Sequence, residues 1–216
     1  MPYLSGTARH RTVMPWRFET WAITLLGLMP AALYFWYGAH DRLGSDPVNV
    51  FERWLGLWAV RFLLVTLCIT PLREVSGYSL LRYRRTFGLL VFWYACMHVA
   101  VYVALDQQFD MAVLWRDITH RPFLMIGAGA FTLLAPLALT SNTWAIRALG
   151  RRWRMLHRLV YVVAILAAVH FLMAFKTYTP TSVCYAAALC LLVLWRGRQV
   201  TRRRTKKPVR ETAGKP

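Results

Sequence analysis

The sequence predicts an all-α membrane protein, a six-helix transmembrane bundle with both termini in the cytoplasm. Three observations predict it. First, 57% of the 216 residues are hydrophobic, more than an ordinary soluble domain carries. Second, six stretches approach the roughly 20 apolar residues that a helix needs to cross a bilayer. Third, the 27 Lys and Arg against 9 Asp and Glu are unevenly distributed between alternate loops.

The first stretch, 19–38, ends in the bulky FWYG instead of a small-residue cleavage site, so it reads as a retained helix and not a signal peptide. The others are 54–72, 87–105, 122–140, 156–175 and the shorter 180–195. They leave a cytoplasmic segment at 1–18, a transmembrane unit at 19–195 and a basic cytoplasmic tail at 196–216. No soluble domain fits in what remains. The tail, RRRTKKPVR at its centre, is the one low-complexity region, and no internal repeat is evident.

Charge orients the bundle. Arg9, Arg11 and Arg17 precede the first span; Arg73, Arg82, Arg84 and Arg85 follow the second; Arg147, Arg151, Arg152 and Arg154 follow the fourth; the tail holds nine more cations. Alternate loops hold Arg42, Arg53, Arg116, Arg121 and Lys176, among Asp41, Asp46, Glu52, Asp106, Asp110 and Asp117. Twenty cations against five is a positive-inside bias, which places the first set in the cytoplasm. The net charge of +18 therefore points to topology and anionic lipid, not to nucleic acid.

Cys68, Cys96, Cys184 and Cys190 all fall within spans, where they act as small apolar residues. There is no CxxCH for covalent haem attachment and no cysteine cluster for zinc or iron–sulfur. His10, His40 and His120 lie in the tail or loops and read as surface residues.

Ionisable residues inside spans are functional candidates. His98 stands seven residues before Leu105, about 10 Å below the outer boundary by helix rise. His170 stands five residues before Phe175, about 8 Å deep. A lone membrane histidine commonly serves as an interhelical hydrogen bonder. Two at one depth on different helices are the arrangement that holds a haem iron from both axial sides.

His157 lies about 20 Å inward of His170 by helix rise, and about 140° around an ideal helix from it. Thirteen or fourteen residues before His98 stand Arg85 and Arg84, so an inner haem at His157 would lack a second histidine on the third span. Arg84, Arg85 and Arg158 are candidates for holding propionates or a flavin phosphate, with positive-inside anchoring as the alternative. Arg61, seven residues into the second span and at the expected depth of His98, needs an anion if buried. A haem propionate is the expected partner; snorkelling or helix carbonyls are the alternative.

The segments GSDPVNVFERWLGLWAVRFLLVTLCITPLR, RRTFGLLVFWYACMHVAVYV, ITHRPFLMIGAGAFTLLAPLALTS and LGRRWRMLHRLVYVVAILAAVHFLMAF resemble the MsrQ family, formerly YedZ, within the ferric-reductase-like transmembrane superfamily. The resemblance implies a bacterial inner-membrane haem b subunit with one or two haems and FMN. It implies electrons drawn from the quinone pool or a cytosolic flavin reductase and passed to a periplasmic molybdopterin subunit, MsrP, which reduces methionine sulfoxide in oxidised proteins. The family's histidines fall on His98, His157 and His170. Relatives that reduce ferric iron or make superoxide carry two histidines on each of two helices, and Arg84 and Arg85 depart from that pattern. The chain contains no GxGxxG, so hydride from a nicotinamide must reach it through a donor. Two rival readings remain from the residues: a reductase or oxidase acting on a small acceptor, and a non-redox transporter using the histidines as a proton relay.

Overall fold

In the computed structural model, which describes residues 16–174 and 179–205, every regular element is helical. The N-terminal segment before Trp16 with His10, the end of the fifth expected span at Phe175 with Lys176, and the tail beyond Thr205 lie outside the described residues. Six helical stretches are long and apolar enough to cross a membrane.

Helix α1 spans Trp16–Ala39 with Pro30 inside it. It lies against α2 and α3 at the edge of the bundle. Gly27 permits the approach, since a Cβ there would come within 2.5 Å of the Leu90 side chain. The fully buried Tyr94 fastens α1: its hydroxyl donates to the Gly27 carbonyl at 2.7 Å and accepts from the Ala31 amide at 3.2 Å.

Helix α2 spans Pro47–Ser76. It starts a full two turns before the expected 54 because Asp46 caps it, accepting from the Asn49 amide at 3.2 Å, with Pro47 in the first turn. Glu52 and Arg53, which read as loop residues in the sequence, are inside the helix. It ends at Gly77, whose φ of +75° suits glycine and whose amide bonds the Arg73 carbonyl. At 30 residues, about 45 Å by helix rise, it outreaches the hydrocarbon core.

A 3₁₀ turn at Leu81–Tyr83 leads into α3, Arg84–Val101, and a π-helical turn at Tyr102–Asp106 follows it. Arg82 pairs with Glu19 at 3.2 Å and the Tyr83 hydroxyl donates to the same carboxylate, tying the start of α3 to α1. Helix α4, Met111–His120, is a short element that the apolar count does not reveal. Asp110 caps it through the Ala112 and Val113 amides. Its buried Asp117 accepts from Tyr102 and pairs with Arg121.

Helix α5 spans Pro122–Leu139, followed by the short α6, Thr143–Leu149, and α7, Arg151–Leu156. Helix α8 begins only at Leu159 and runs to Met173. The single expected helix over 156–175 is therefore interrupted at His157 and Arg158. The 140° azimuth expected between His157 and His170 assumes an unbroken helix and does not hold across this turn. Helix α9, Pro180–Thr205, continues beyond the expected 195.

Helices α2 and α3 pack extensively, as do α5 and α8; α3 meets α5, and α9 closes the bundle against α8 and α2. Leu55, Leu63, Leu90, Tyr94, Ala164 and Leu189 form the fully buried centre. Small residues such as Ala164 and Ala168 let α8 approach its neighbours closely. Outward-facing Trp21, Leu26, Ile165 and Leu191 are exposed, as lipid-facing side chains are in a helical membrane protein.

Candidate functional site

Four helix segments meet at the end of the bundle opposite the basic loops: the starts of α2 and α5 and the ends of α3 and α8. There the rings of His98 and His170 lie 6.3 Å apart, centre to centre, with planes at 73°. The shared depth counted along the sequence is thus a spatial pairing.

Each ring is held in the same way. His98 Nδ1 lies 2.9 Å from the Glu52 carbonyl of α2, and His170 Nδ1 lies 2.7 Å from the Phe123 carbonyl of α5. A carbonyl only accepts, so each Nδ1 carries the proton and each Nε2 keeps its lone pair. In both helices the residue four positions after the accepting carbonyl is glycine. A Cβ on Gly56 would sit 3.4 Å from the His98 ring, and one on Gly127 only 2.7 Å from His170 Nδ1. The missing side chains make room for imidazoles laid against the helix backbone. Glu52 adds a carboxylate oxygen 3.9 Å from His98 Nδ1. Neither Nε2 has a hydrogen-bond partner among the described residues.

These features fit an iron held between two imidazoles. A ring nitrogen sits about 2 Å from a bound metal and about 1 Å from its own ring centre, so rings on opposite sides of one iron have centres about 6 Å apart. An Nδ1–H bonded to a backbone carbonyl is also the usual support of an Nε2 metal ligand. No cluster of three or more metal-ligating side chains occurs among the described residues.

Arg61 lies deeper than the sequence count placed it. His98 abuts Gly56, and Arg61 is five residues further along α2, about 8 Å inward by helix rise. The difference comes from where α2 starts. Arg61 Nε donates to the Tyr185 hydroxyl of α9 at 3.0 Å, and its guanidinium lies 4.9 Å from the centre of the Trp58 ring. No carboxylate pairs with it among the described residues. Trp58 Nε1 beside it is buried with no hydrogen-bond partner there.

His157 sits at the opposite end, in the turn between α7 and α8, stacked on Trp153 with centres 3.9 Å apart. Its Nδ1 contacts the Trp153 carbonyl at 3.2 Å and its Nε2 lies 3.4 Å from the Ser141 hydroxyl. The structure does not bring a second described histidine to it. Arg84 is half-buried at the same end, whereas Arg85 and Arg158 are exposed. The sequence reading missed Gly56, Gly127, Trp58, Tyr185 and the two carbonyls. Only the glycines left a signal, as small residues within apolar spans.

The family of ferric reductase like transmembrane components matches residues 55–168. That range takes in Gly56, His98, Gly127 and His157 and stops two residues before His170. The chain is 48% identical over 196 residues to proteins from Brucella ovis, Brucella canis and Brucella suis, covering 91% of this chain and 89% of each relative. Each of those is a protein-methionine-sulfoxide reductase heme-binding subunit MsrQ. No solved structure matches the chain.

Proposed function

The chain belongs to the ferric-reductase-like transmembrane family and, within it, to the MsrQ haem-binding subunits, and on that premise we propose that it is the inner-membrane electron-transfer subunit of a methionine sulfoxide reductase system. It takes electrons from the quinone pool or a cytosolic flavin reductase and delivers them to the periplasmic molybdopterin subunit MsrP. The observation that carries the reading is the His98–His170 pair, set at the end of the bundle away from the basic loops.

Haem b, when bound, supplies one-electron chemistry. The protein's part is to hold and insulate it. His98 and His170 would each offer Nε2 to the iron, and an iron held by both rings would favour electron transfer over binding of oxygen. The Glu52 and Phe123 carbonyls fix ring tautomer and orientation. Arg61, with the Trp58 ring beside it, would supply donors to a propionate. Helices α2, α3, α5 and α8 carry and flank the ring pair, leaving both histidines partly buried. At the inner end His157 offers one imidazole, with Ser141 across from it; a second haem there would have one histidine ligand, and Arg84, Arg85 and Arg158 would serve its propionates or the phosphate of an FMN. The acidic outer loops around Asp106–Arg121, including α4, form the docking face for MsrP.

Purified protein should show a Soret band, and after chemical reduction it should be reoxidised by MsrP and methionine sulfoxide together. Absence of the band would favour the proton-relay reading. Equally fast reoxidation by a small ferric chelate without MsrP would favour a ferric reductase.

A further inference from the structure

Helix α4 lies at the end of the bundle where His98 and His170 meet, and both of its ends are pinned there. The π-helical turn before it ends at Asp106. The link folds straight back on that turn, the Phe109 amide donating to the Val103 carbonyl at 2.9 Å. At the other end Arg121 alone separates α4 from α5. Ten residues, about 15 Å of helix, therefore run from the end of one span to the start of another. A helix tied at both ends in this way is kept at the level of the membrane boundary.

Its rotation about its own axis is fixed as well. At about 100° per residue, Val113, Leu114, Asp117 and Ile118 share one side, and these are its buried and half-buried residues. Asp117 is locked there, accepting from the Tyr102 hydroxyl at 3.2 Å and paired with Arg121 Nε at 3.3 Å. The side turned away from the bundle divides by chemistry. Met111 and Trp115, one turn apart, form an apolar edge and are 54% and 71% exposed. Arg116 and His120, also one turn apart, form a polar edge that is exposed too. Leu105 and Met125, near the adjoining ends of the two flanking spans, are exposed. Lipid-facing apolar side chains thus reach the level at which α4 is held.

We propose that α4 is an interfacial helix, with its Met111–Trp115 edge seated between the headgroups and acyl chains of the outer leaflet and its Arg116–His120 edge in water. Tryptophan favours that boundary because its ring is apolar and its indole N–H is polar. A helix with one apolar and one polar edge lies in the plane of the interface. The lipid takes only the apolar edge, so the polar edge stays available to the docking face for MsrP. The inference rests on the spans and not on the electron-transfer reading.

The test is nitroxide accessibility in the full chain, reconstituted in vesicles of phosphatidylethanolamine and phosphatidylglycerol. Cys68, Cys96, Cys184 and Cys190 are replaced by Ala, and a spin label is attached in turn to Met111→Cys, Trp115→Cys, Arg116→Cys and His120→Cys variants. Oxygen concentrates in lipid and a nickel chelate in water, so the ratio of their relaxation effects reads depth. The ratio at Met111 and Trp115 should exceed that at Arg116 and His120 several-fold, with or without MsrP. Equal ratios at all four positions would overturn the proposal. So would an aqueous ratio at Met111 and Trp115 that MsrP then shields from both reagents, which would make the edge a protein-docking surface. In the chain with its own cysteines, p-benzoylphenylalanine in place of Trp115 should crosslink to lipid, and in place of Arg116 it should not. Equal lipid crosslinking at both positions, or none at either, would overturn the proposal however the cysteine-free chain folds. The Soret band, read in the same vesicles, tests the electron-transfer reading separately.

Discussion

A methyl group on Gly127 would lie 2.7 Å from Nδ1 of His170, inside van der Waals contact with a ring that is already bonded to the Phe123 carbonyl. The ring cannot keep that bond and accept the methyl. Gly127→Ala should therefore displace His170 at a cost of about 1–3 kcal/mol and lower the haem-to-protein absorbance ratio several-fold. Gly56→Ala, with 3.4 Å to His98, should do less, and Gly129→Ala, with nothing within 4 Å, should be silent. A Gly127→Ala protein with a full haem complement would show that the glycine does not shape the site.

His98→Ala and His170→Ala should each abolish the low-spin signal of the outer haem, since each removes one of two rings 6.3 Å apart. On the proposed assignment both rings serve one iron, so the double variant should be no worse than either single one. Electron paramagnetic resonance of the oxidised protein reads this directly. Retention of a full bis-histidine spectrum in both single variants would refute the assignment.

His157 has a different environment and should behave differently. Its ring is stacked on Trp153 and faces Ser141. His157→Ala should lower haem content only in part, and should slow reduction from the cytoplasmic side far more than reoxidation by the periplasmic partner. Rapid-mixing kinetics in both directions would check it; equal slowing of both limbs would count against an inner role.

Tyr94→Phe removes the hydroxyl that joins the Gly27 carbonyl and the Ala31 amide of α1. The variant should be about 1–2 kcal/mol less stable, seen as a lower unfolding temperature in detergent, while the histidine pair keeps its spectrum, since His98, one turn further along α3, is held by the Glu52 carbonyl of α2 and not by α1. An unchanged unfolding temperature would mean that α1 does not depend on this contact.

The cation asymmetry gives the orientation its test. A C-terminal alkaline phosphatase fusion should be inactive and a C-terminal fluorescent-protein fusion bright. The reverse pattern would invert the bundle and place the His98–His170 pair on the cytoplasmic side.

Much of this protein can be read along one dimension. A membrane helix rises a constant distance per residue, so apolar runs yield six spans and simple counting puts His98 and His170 in one layer. Cations sort by side of the membrane, so the same count suggests an orientation. What sequence counting could not reach is azimuth and approach. Spans such as α8 are apolar on every face, so no amphipathic period says which side turns inward. Only packing decides that His98 lies on the Glu52 carbonyl and His170 on the Phe123 carbonyl, because backbone carbonyls look alike at every position. Gly56 and Gly127 differ from Gly129 only through the neighbour each one meets. The cap at Asp46 moved the start of α2 and carried Arg61 inward of the histidine layer, and the turn at His157 and Arg158 broke a run that hydropathy alone reads as continuous.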